Sequence, residues 1–336
     1  MGQSGKTVRN VSIVGVGAYL PERVLTNAEL EKMVDTTNEW IVTRTGIKER
    51  HIAADNEATS DIGAKAALRA LENAGVSAEQ VDMIICATIS KDMVFPNTAC
   101  FIQNLIGAKN ASCFDLEAAC SGFLFGLETA RNYIASGTVN TVLVIGAEKL
   151  SSITDWQDRG TCVLFGDGAG AVVLQHKDSG RGIIDTVMKS DGSLADLLCI
   201  PGGGSRQPTS VQTIDQRLHY MKMSGNQVFK HAVRYMSDAG TELLGRNGLT
   251  IKDIACVIPH QANMRIVQAI AEKLGTTLEE KFYINLDKVG NVSGASVPLA
   301  LDEAIKCGRV KKGDLLMFVV FGGGFTWGAM ALEWGK

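Results

Sequence analysis

The sequence has almost no excess of either charge. Its 336 residues carry 33 Lys and Arg against 36 Asp and Glu, a net charge of -3. Proteins that bind nucleic acid usually carry a basic excess on one face, so we expect no nucleic-acid partner. The 6 prolines are too few for a proline-rich linker. The 8 cysteines are scattered without a Cys-x-x-Cys pair, which argues against a zinc site or a redox pair.

The sequence also lacks the long apolar run of a membrane span. The longest uncharged stretch, Leu315–Leu332, is interrupted by Gly322–Gly324, Thr326 and Gly328. It predicts two buried strands joined by a glycine turn, and no membrane partner. Residues Met1–Asn10 are polar and do not resemble a signal peptide. With the unpaired cysteines, this predicts a protein of the reducing cytoplasm.

Glycine is present in excess, at 36 of 336 positions against a usual ~7%. At roughly 150 residues per domain, the chain is long enough for about two domains. Apolar runs alternate with amphipathic stretches, a pattern typical of an α/β protein. The predicted strands are Val11–Val16, Met83–Thr88, Val142–Gly146, Ala169–Leu174, Cys256–Ile258, Leu315–Phe321 and Gly328–Leu332. The predicted helices are Ser60–Ala74, Ser121–Ala135, Asn226–Leu244, Ala262–Leu274 and Ser296–Cys307.

The chain contains a weak internal repeat. The segment from Gly75 matches the segment from Gly248, an offset of 173 residues (248 − 75), and the strand at Thr141 matches Asp314 at the same offset. A third match, later in both halves, pairs the segment that begins at Phe165 with the one at Phe321. Three matches in one order indicate two copies of one α/β unit.

The repeat predicts a shared site. At an offset of 173, Cys120 corresponds to Ser293, and Asn291 stands two residues earlier. If the copies pack about a pseudo-twofold axis, the two helix N-termini that follow these residues point to one centre. Cys120 and Asn291 would then be neighbours.

Three residue types at these positions are typical of catalysis, but each has an ordinary structural interpretation. Cys120 precedes an amphipathic helix, whose N-terminus favours a thiolate, although a buried structural cysteine is common. His260 ends an apolar run where α/β sheets place ligand-facing residues. Asn291 in a small-residue loop is equally suited to a turn or cap. Gly322–Gly324 suits either a bulge or backbone N–H groups aimed at a ligand.

Five spaced segments bear a combined resemblance. They are Asp115–Phe123 (DLEAACSGF), Phe165–Val172 (FGDGAGAV), Val257–Ile266 (VIPHQANMRI), Gly290–Leu301 (GNVSGASVPLAL) and Phe321–Gly328 (FGGGFTWG). They resemble the signatures of β-ketoacyl-acyl-carrier-protein synthase III, the initiating condensing enzymes of bacterial type II fatty-acid synthesis. Thr36–Arg50 (TTNEWIVTRTGIKER) is similar to that family too. The resemblance extends from about Val11 to Trp334. It departs at Asn291–Ser296, where NVSGAS replaces the usual NTSAAS but keeps the asparagine.

The resemblance implies a thiolase-like α/β fold of two pseudo-twofold-related halves in a five-layered αβαβα arrangement. We expect residues 1–181 to form the half with the nucleophile and residues 182–336 the half with the histidine and asparagine. The family needs no metal or organic cofactor. Its members act as homodimers, so a homodimer is expected.

The resemblance also implies a mechanism. Cys120 would attack an acyl-coenzyme A primer, with acetyl-coenzyme A the expected one, while the backbone N–H groups of Cys120 and Gly323 hold the oxyanion. His260 and Asn291 would then stabilise the enolate formed when malonyl-acyl-carrier protein loses CO₂. Attack of this enolate on the acyl-enzyme would give a 3-ketoacyl-carrier protein.

Further residues take roles by the same resemblance. Trp40 and Arg159 would hold the adenine of coenzyme A, with Thr36 and Arg44 nearby, and Phe95 would reach across the dimer to limit the acyl pocket. Carrier proteins are acidic, so a basic patch is expected on this chain. The residues predicted to bind the carrier protein are Gln261, Arg265 and Lys230, of which Arg265 is favoured.

Four alternative functions make different demands on the sequence. One is a secondary-metabolite condensing enzyme with another acyl donor, and another is a non-catalytic partner subunit, which the set of Cys120, His260 and Asn291 argues against. A biosynthetic thiolase needs a second catalytic cysteine, which FGGGF lacks. A papain-like hydrolase also uses Cys, His and Asn, but does not fit the duplicated halves.

Overall fold

The computed structural model describes residues 9–336. The first eight residues of the predicted N-terminal half, 1–181, lie outside the described residues. Within residues 9–336, every helix is too short or too polar to cross a membrane.

The strands and helices alternate along most of the chain. The strands are β1 Val11–Tyr19, β2 Arg23–Thr26, β3 Glu49–Ile52, β4 Met83–Ala87, β5 Ser112–Leu116, β6 Thr141–Glu148, β7 Gly168–His176, β8 Ile183–Ser190, β9 Leu198–Cys199, β10 Lys222–Met223, β11 Cys256–Pro259, β12 Leu315–Gly322 and β13 Thr326–Glu333. The helices are α1 Asn27–Leu30, α2 Asn38–Thr45, α3 Thr59–Ala74, α4 Thr98–Ile106, α5 Gly122–Ala135, α6 Arg159–Cys162, α7 Val211–Asp215, α8 Gly225–Arg246, α9 Met264–Lys273, α10 Leu278–Lys281, α11 Leu286–Val289 and α12 Ser296–Lys306.

Each predicted strand and helix is present, with its ends shifted by no more than three residues. The apolar pattern does not indicate β5, β8 or α4, nor the shorter elements β2, β3, β9, β10, α1, α2, α6, α7, α10 and α11. The strand β5 lies at a sheet edge with its side chains partly or fully exposed, so it carries no apolar run. In β8 only Ile183 and Val187 are buried, and the last three residues are exposed. Partial burial removes the continuous hydrophobic signal on which the other strands were recognised.

Two large sheets share one topology. The first has the order β1-β7-β6-β4-β5, and the second has the order β8-β13-β12-β11. A parallel bridge between Val257 and Phe282 extends the second sheet beyond β11, where β5 stands in the first. In the first sheet β5, β4 and β6 are parallel, and β7 and β1 are each antiparallel to their neighbours. In the second sheet β11 and β12 are parallel, and β13 and β8 are each antiparallel to their neighbours.

The helices complete five layers. The buried faces of α5 and α12 share one apolar core with residues of both sheets, so these two helices form the central layer. The outer face of the first sheet packs on α3 and α4, and that of the second sheet on α8 and α9. The predicted thiolase-like αβαβα arrangement is confirmed. The predicted boundary after residue 181 falls in the connection between β7 and β8, and it stays a prediction.

The repeat offset is not constant along the chain. Met83 and Cys256 occupy equivalent registers, which agrees with the predicted offset of 173. Val142 and Leu316, paired with those residues, lie 174 apart (316 − 142). The 3₁₀ turns before the central helices, Ala119–Ser121 and Ser293–Ala295, are also 174 apart (293 − 119). The predicted match of Cys120 with Ser293 is therefore wrong by one residue, because the connections between strands differ in length.

Close contact between the halves depends on a glycine in β6. A methyl group at Gly146 would lie 2.5 Å from the carbonyl oxygen of Gly294 and 3.1 Å from Ala295 Cα. Any side chain at residue 146 therefore forces the turn Ser293–Ala295 away from the first sheet.

We expect Gly146→Ala to lower the free energy of unfolding by about 1–3 kcal/mol, as overpacking of a core does. Gly245→Ala is the matched control, since Gly245 lies on the exposed face of α8 and a methyl group there meets nothing within 4 Å. It should leave stability unchanged or raise it by about 0.5 kcal/mol. Urea unfolding of both variants measures this. Equal stability of the two variants would contradict the close packing.

Candidate active site

Cys120 lies in the turn that begins the central helix of the first half. The turn Ala119–Ser121 runs directly into α5, and the Cys120 side chain is buried. The preceding residue, Ala119, has a φ of 45°, which is unfavourable for a residue other than glycine. Such strain is often kept at functional sites, where the surrounding structure enforces it. Ser293, which begins the equivalent turn before α12, has a φ of 46°.

Asn291 is held by the first half of the molecule. Its N–H donates to Leu164 O at 2.9 Å, and its carbonyl oxygen accepts from Gly166 N at 3.0 Å. The side-chain oxygen Oδ1 accepts from Ser293 N at 2.9 Å. Because this bond occupies the amide oxygen, the Nδ2 group is left as a hydrogen-bond donor.

His260 follows β11, and its N–H donates to Val319 O at 2.8 Å. The imidazole is 3% exposed, and Nδ1 has no hydrogen-bond partner among the described residues. Burial lowers the pKa of His260 to about 3. The ring is therefore neutral at physiological pH, with one nitrogen as donor and the other as acceptor.

Burial raises the pKa of the Cys120 thiol, whereas the N-terminus of a helix is predicted to lower it. The sequence predicts that the N-terminus of α5 favours the thiolate. In the structure, burial raises the pKa of Cys120 to about 12, and nearby Glu148 raises it further, while Ser293 lowers it. The expectation of a readily ionised thiol is not supported, because desolvation of the charge dominates.

The end of β12 approaches the backbone of Cys120 closely. A methyl group at Gly322 would lie 2.7 Å from Cys120 N, so only glycine fits there. The next residue, Gly323, has an N–H with no hydrogen-bond partner among the described residues. The two N–H groups of Cys120 and Gly323 therefore lie on adjoining segments, an arrangement suited to holding an oxyanion.

The residues described in this section so far surround one cavity of about 930 Å³. Cys120, His260, Asn291 and Gly323 all contribute to its wall, so the structure brings the predicted catalytic residues together. Part of the wall is apolar and includes a cluster of Leu150, Phe165 and Met221. Cys199, which is partly buried, is a second thiol in the same cavity.

The outer part of the cavity is basic and aromatic. Trp40 and the exposed Arg44 line it. The guanidinium groups of Arg44 and Arg159 lie 5.5 and 5.1 Å from the Trp40 ring centroid. Arg159 also donates to the backbone oxygen of Asp35 at 2.7 Å. A flat ring beside two cations is suited to an anionic ligand with an aromatic base.

A second group of cations borders the cavity. Lys230 and Arg265 are exposed and line its rim, and neither takes part in a salt bridge among the described residues. Arg234, one turn after Lys230, is instead 3.7 Å from Asp238. Lys230 and Arg265 are thus available to contact an acidic partner.

Gln261 does not agree with its predicted role in carrier-protein binding. It is 1% exposed. Its Oε1 accepts from Asn285 N and Leu286 N, and its Nε2 donates to Tyr283 O. A side chain with its polar groups used inside the fold cannot contact a partner. Gln261 instead holds the segment that leads to Asn291.

Thr36 and Phe95 do not line the cavity in this chain. Thr36 is partly buried, and its hydroxyl has no hydrogen-bond partner among residues 9–336. Phe95 is 85% exposed, and the preceding Val94 is 92% exposed. The predicted roles of Thr36 and Phe95 stay predictions.

One buried acid beside the site has almost no signal in the sequence. Glu148 ends β6, and its side chain is fully buried beside Cys120 and Ser293. The only sequence signal is an acid at the end of the otherwise uncharged run Thr141–Ala147. A polar strand end is common in α/β proteins, so this signal alone does not indicate a site.

Comparison with known proteins gives one consistent result. Residues 114–192 match a family model described as 3-oxoacyl-[acyl-carrier-protein (ACP)] synthase III. Residues 244–334 match the model of its C-terminal part. The chain is 52% identical to a β-ketoacyl-[acyl-carrier-protein] synthase III of Desulfitobacterium hafniense over 97% of this chain and 98% of that protein. A protein of the same name from Caldanaerobacter subterraneus is 52% identical over 96% of this chain and 98% of its own length.

Solved structures agree. A 3-oxoacyl-[acyl-carrier-protein] synthase III from Aquifex aeolicus has a TM-score of 0.90 and 47% identity, covering 96% of this chain and 100% of that chain. A priming β-ketosynthase from the R1128 polyketide biosynthetic pathway has a TM-score of 0.92 and 35% identity, covering 100% of this chain and 99% of that chain.

Proposed function

The chain belongs to the β-ketoacyl-[acyl-carrier-protein] synthase III family of condensing acyltransferases, and we propose that Cys120, His260 and Asn291 carry its reaction. The observation that supports this assignment is their convergence. Three residues from both halves of the chain line one cavity, beside the N–H of Gly323, which has no hydrogen-bond partner within residues 9–336. The reaction is the decarboxylative condensation that initiates fatty-acid synthesis.

In the first step, Cys120 Sγ attacks the carbonyl carbon of the acyl-coenzyme A thioester. The carbonyl oxygen becomes an oxyanion, which accepts hydrogen bonds from the N–H groups of Cys120 and Gly323. Coenzyme A leaves as its thiolate, and the acyl group stays on Cys120. The neighbouring apolar wall, which includes Leu150, Phe165 and Met221, accommodates the acyl chain.

In the second step, His260 and Asn291 act on malonyl-acyl-carrier protein. The neutral imidazole of His260 and the Nδ2 group of Asn291 both donate hydrogen bonds to the thioester oxygen. These bonds stabilise the enolate as CO₂ leaves. The enolate carbon attacks the acyl group on Cys120, which releases the 3-ketoacyl product and the Cys120 thiolate.

The two substrates use different cations at the cavity opening. The adenine of coenzyme A stacks on Trp40 between Arg44 and Arg159, with Thr36 on the neighbouring segment. The acidic carrier protein contacts Arg265 and Lys230, which have no acidic partner in salt bridges within residues 9–336. This division gives the two substrates separate contacts but the same path to Cys120.

We also propose a homodimer in the cytoplasm. Val94 and Phe95 form an exposed apolar pair, which is unfavourable on a surface in contact with water. The pair fits an interface between two copies of this chain. Phe95 would then reach the acyl pocket of the partner subunit. The eight cysteines are all free, as is usual in a reducing compartment.

A second candidate is a priming role in secondary metabolism. The similarity to a priming β-ketosynthase of a polyketide pathway favours it, because that structure covers the whole of this chain. The catalytic residues would keep the same roles. Only the acyl donor or the carrier protein would differ, and mass spectrometry of the acyl-enzyme formed from mixed primers separates the two.

We expect Cys120→Ser to lower acylation by radiolabelled acetyl-coenzyme A by about 10³-fold or more, because the variant lacks the nucleophile. Cys199→Ser is the matched control, since Cys199 is the second thiol in the cavity. It should retain the label on the protein. Full labelling of Cys120→Ser would contradict the assignment of the nucleophile.

We expect His260→Ala and Asn291→Ala to acylate normally but to release CO₂ from malonyl-acyl-carrier protein about 10²–10³-fold more slowly. Each variant lacks one donor to the enolate oxygen, and loss of such a donor has this effect in other enzymes. Rates of CO₂ release, measured beside rates of acylation, test this. Unchanged decarboxylation would refute the division of roles.

We expect Arg159→Ala to raise the KM for acyl-coenzyme A about tenfold, which corresponds to one cation–π and ionic contact. Its KM for malonyl-acyl-carrier protein should not change. Arg265→Ala should show the opposite pattern, so each variant is the control for the other. Steady-state kinetics with each substrate varied in turn measures both. A rise in the same KM for both variants would mean that the cations do not divide the substrates.

A further inference from the structure

The two N–H groups that are proposed to hold the oxyanion belong to different segments of the chain. Cys120 lies in the turn Ala119–Ser121 before α5, and Gly323 begins the turn Gly323–Phe325 that joins β12 to β13. A hydrogen bond weakens steeply as its distance and angle depart from the optimum. One oxygen can therefore accept from both N–H groups only if the two segments keep a fixed separation.

Two side-chain hydroxyls join these segments to each other. Thr326 Oγ1, directly after the second turn, donates to Ala118 O at 2.9 Å. Ser121 Oγ, in the first turn, donates to Thr326 O at 3.0 Å. Each segment thus supplies one hydroxyl donor and one backbone carbonyl acceptor. The two bonds lie on either side of Cys120 in the chain.

Both hydroxyls bond between the segments although each has a local alternative. Ser121 stands at the start of α5, where serine is a common cap, but its side chain forms no capping bond among the described residues. Thr326 Oγ1 also lies 3.4 Å from Gly323 O in its own turn. A hydroxyl has a single proton to donate, and Ala118 O is the closer acceptor. The pair of bonds therefore connects the two halves of the chain.

The turn that carries Cys120 needs support of this kind. Its first residue, Ala119, has an unfavourable φ of 45°, a conformation that persists only where the surroundings enforce it. The end of β12 packs against this turn, because a methyl group at Gly322 would lie 2.7 Å from Cys120 N and 3.0 Å from Ala118 O. Packing limits how near the segments come, whereas directional hydrogen bonds also set their orientation. The bonds at Ala118 and Ser121 hold the turn on both sides of its strained residue.

We propose that Ser121 and Thr326 are positioning residues that hold the N–H groups of Cys120 and Gly323 in the geometry of an oxyanion hole. The inference rests on the proposed function, in which Cys120 is the nucleophile and these two N–H groups bind the oxyanion. Ser121 is fully buried and does not line the cavity within residues 9–336. Thr326 lines the cavity, but its hydroxyl donates to Ala118 O. Both hydroxyls therefore act through the backbone and not on the substrate.

The role is tested first on the rate of acylation. We expect Ser121→Ala and Thr326→Val each to lower the maximal rate of acylation by acetyl-coenzyme A about tenfold. The double variant should lose about 10²-fold, which approaches the loss of one oxyanion donor. The acetyl-coenzyme A concentration that gives half the maximal rate should not change, since Trp40 and its neighbouring arginines are unaltered. Quenched-flow acylation followed by intact-protein mass spectrometry measures both quantities.

The infrared band of the acetyl carbonyl reports on the oxyanion hole directly. Wild-type enzyme and variants are acetylated with acetyl-coenzyme A that carries carbon-13 at the carbonyl, and the spectrum of the unlabelled form is subtracted. Hydrogen bonds to a carbonyl oxygen weaken the C=O bond and lower its stretching frequency. We expect the band to move to higher frequency in Ser121→Ala and Thr326→Val, because the oxygen loses part of its hydrogen bonding. A loss of stability alone would not move the band of the folded enzyme.

Two control variants isolate the hydroxyl bonds. Thr326→Ser keeps the hydroxyl, so it should keep the wild-type rate and band. Thr129→Val removes a hydroxyl that donates to Phe125 O at 2.8 Å within α5, so it should change neither. Ser121→Ala removes a single buried oxygen, and it decides the test by itself if Thr326→Val does not fold.

The outcomes for the inference and for the proposed function are distinct. A wild-type rate and band in Ser121→Ala, or in folded Thr326→Val, overturns the inference. It is also overturned if Thr326→Ser shows the same losses as Thr326→Val. Failure of the proposed function would appear in the wild type itself, as the absence of an acetyl group on Cys120.

Discussion

The burial of the Cys120 thiol is the constraint on which the site depends. A dry cavity strengthens hydrogen bonds to an oxyanion and keeps water from the acyl-enzyme. The same burial raises the pKa of the thiol to about 12 and keeps His260 neutral. The neutral histidine is suited to donating a hydrogen bond to an enolate oxygen. The Cys120 thiol must therefore lose its proton in a place where burial opposes the thiolate.

The duplicated fold provides the geometry for this site. Two equivalent turns, Ala119–Ser121 and Ser293–Ala295, meet between the sheets, and each begins with a residue at positive φ. The first turn carries Cys120, the proposed nucleophile. The second carries Ser293 beside Asn291, while His260 and Gly323 follow strands of the second sheet. One architectural unit used twice thus supplies two different sets of groups to one cavity.

Much of this organisation was predictable from the sequence. The buried strands and amphipathic helices have strong periodic signals, and Cys120, His260 and Asn291 lie in segments that resemble a family. The exact register of the repeat was not predictable, because the connections differ in length. The side-chain environment was also hidden. Gln261 and Glu148 are both polar residues at strand ends, and only burial and hydrogen bonds distinguish a structural role from a place beside the nucleophile. The thiol pKa likewise depends on desolvation, which sequence does not encode locally.

The central claim is that both halves act on one acyl group at Cys120. A crystal structure of the enzyme after reaction with acetyl-coenzyme A tests this most directly. The account predicts an acetyl group on Cys120 Sγ, with its carbonyl oxygen within hydrogen-bond distance of the N–H groups of Cys120 and Gly323. The His260 ring and Asn291 Nδ2 should face the opposite side of the acetyl carbon. An acetyl group on another residue, or a carbonyl oxygen turned away from Gly323, would contradict it.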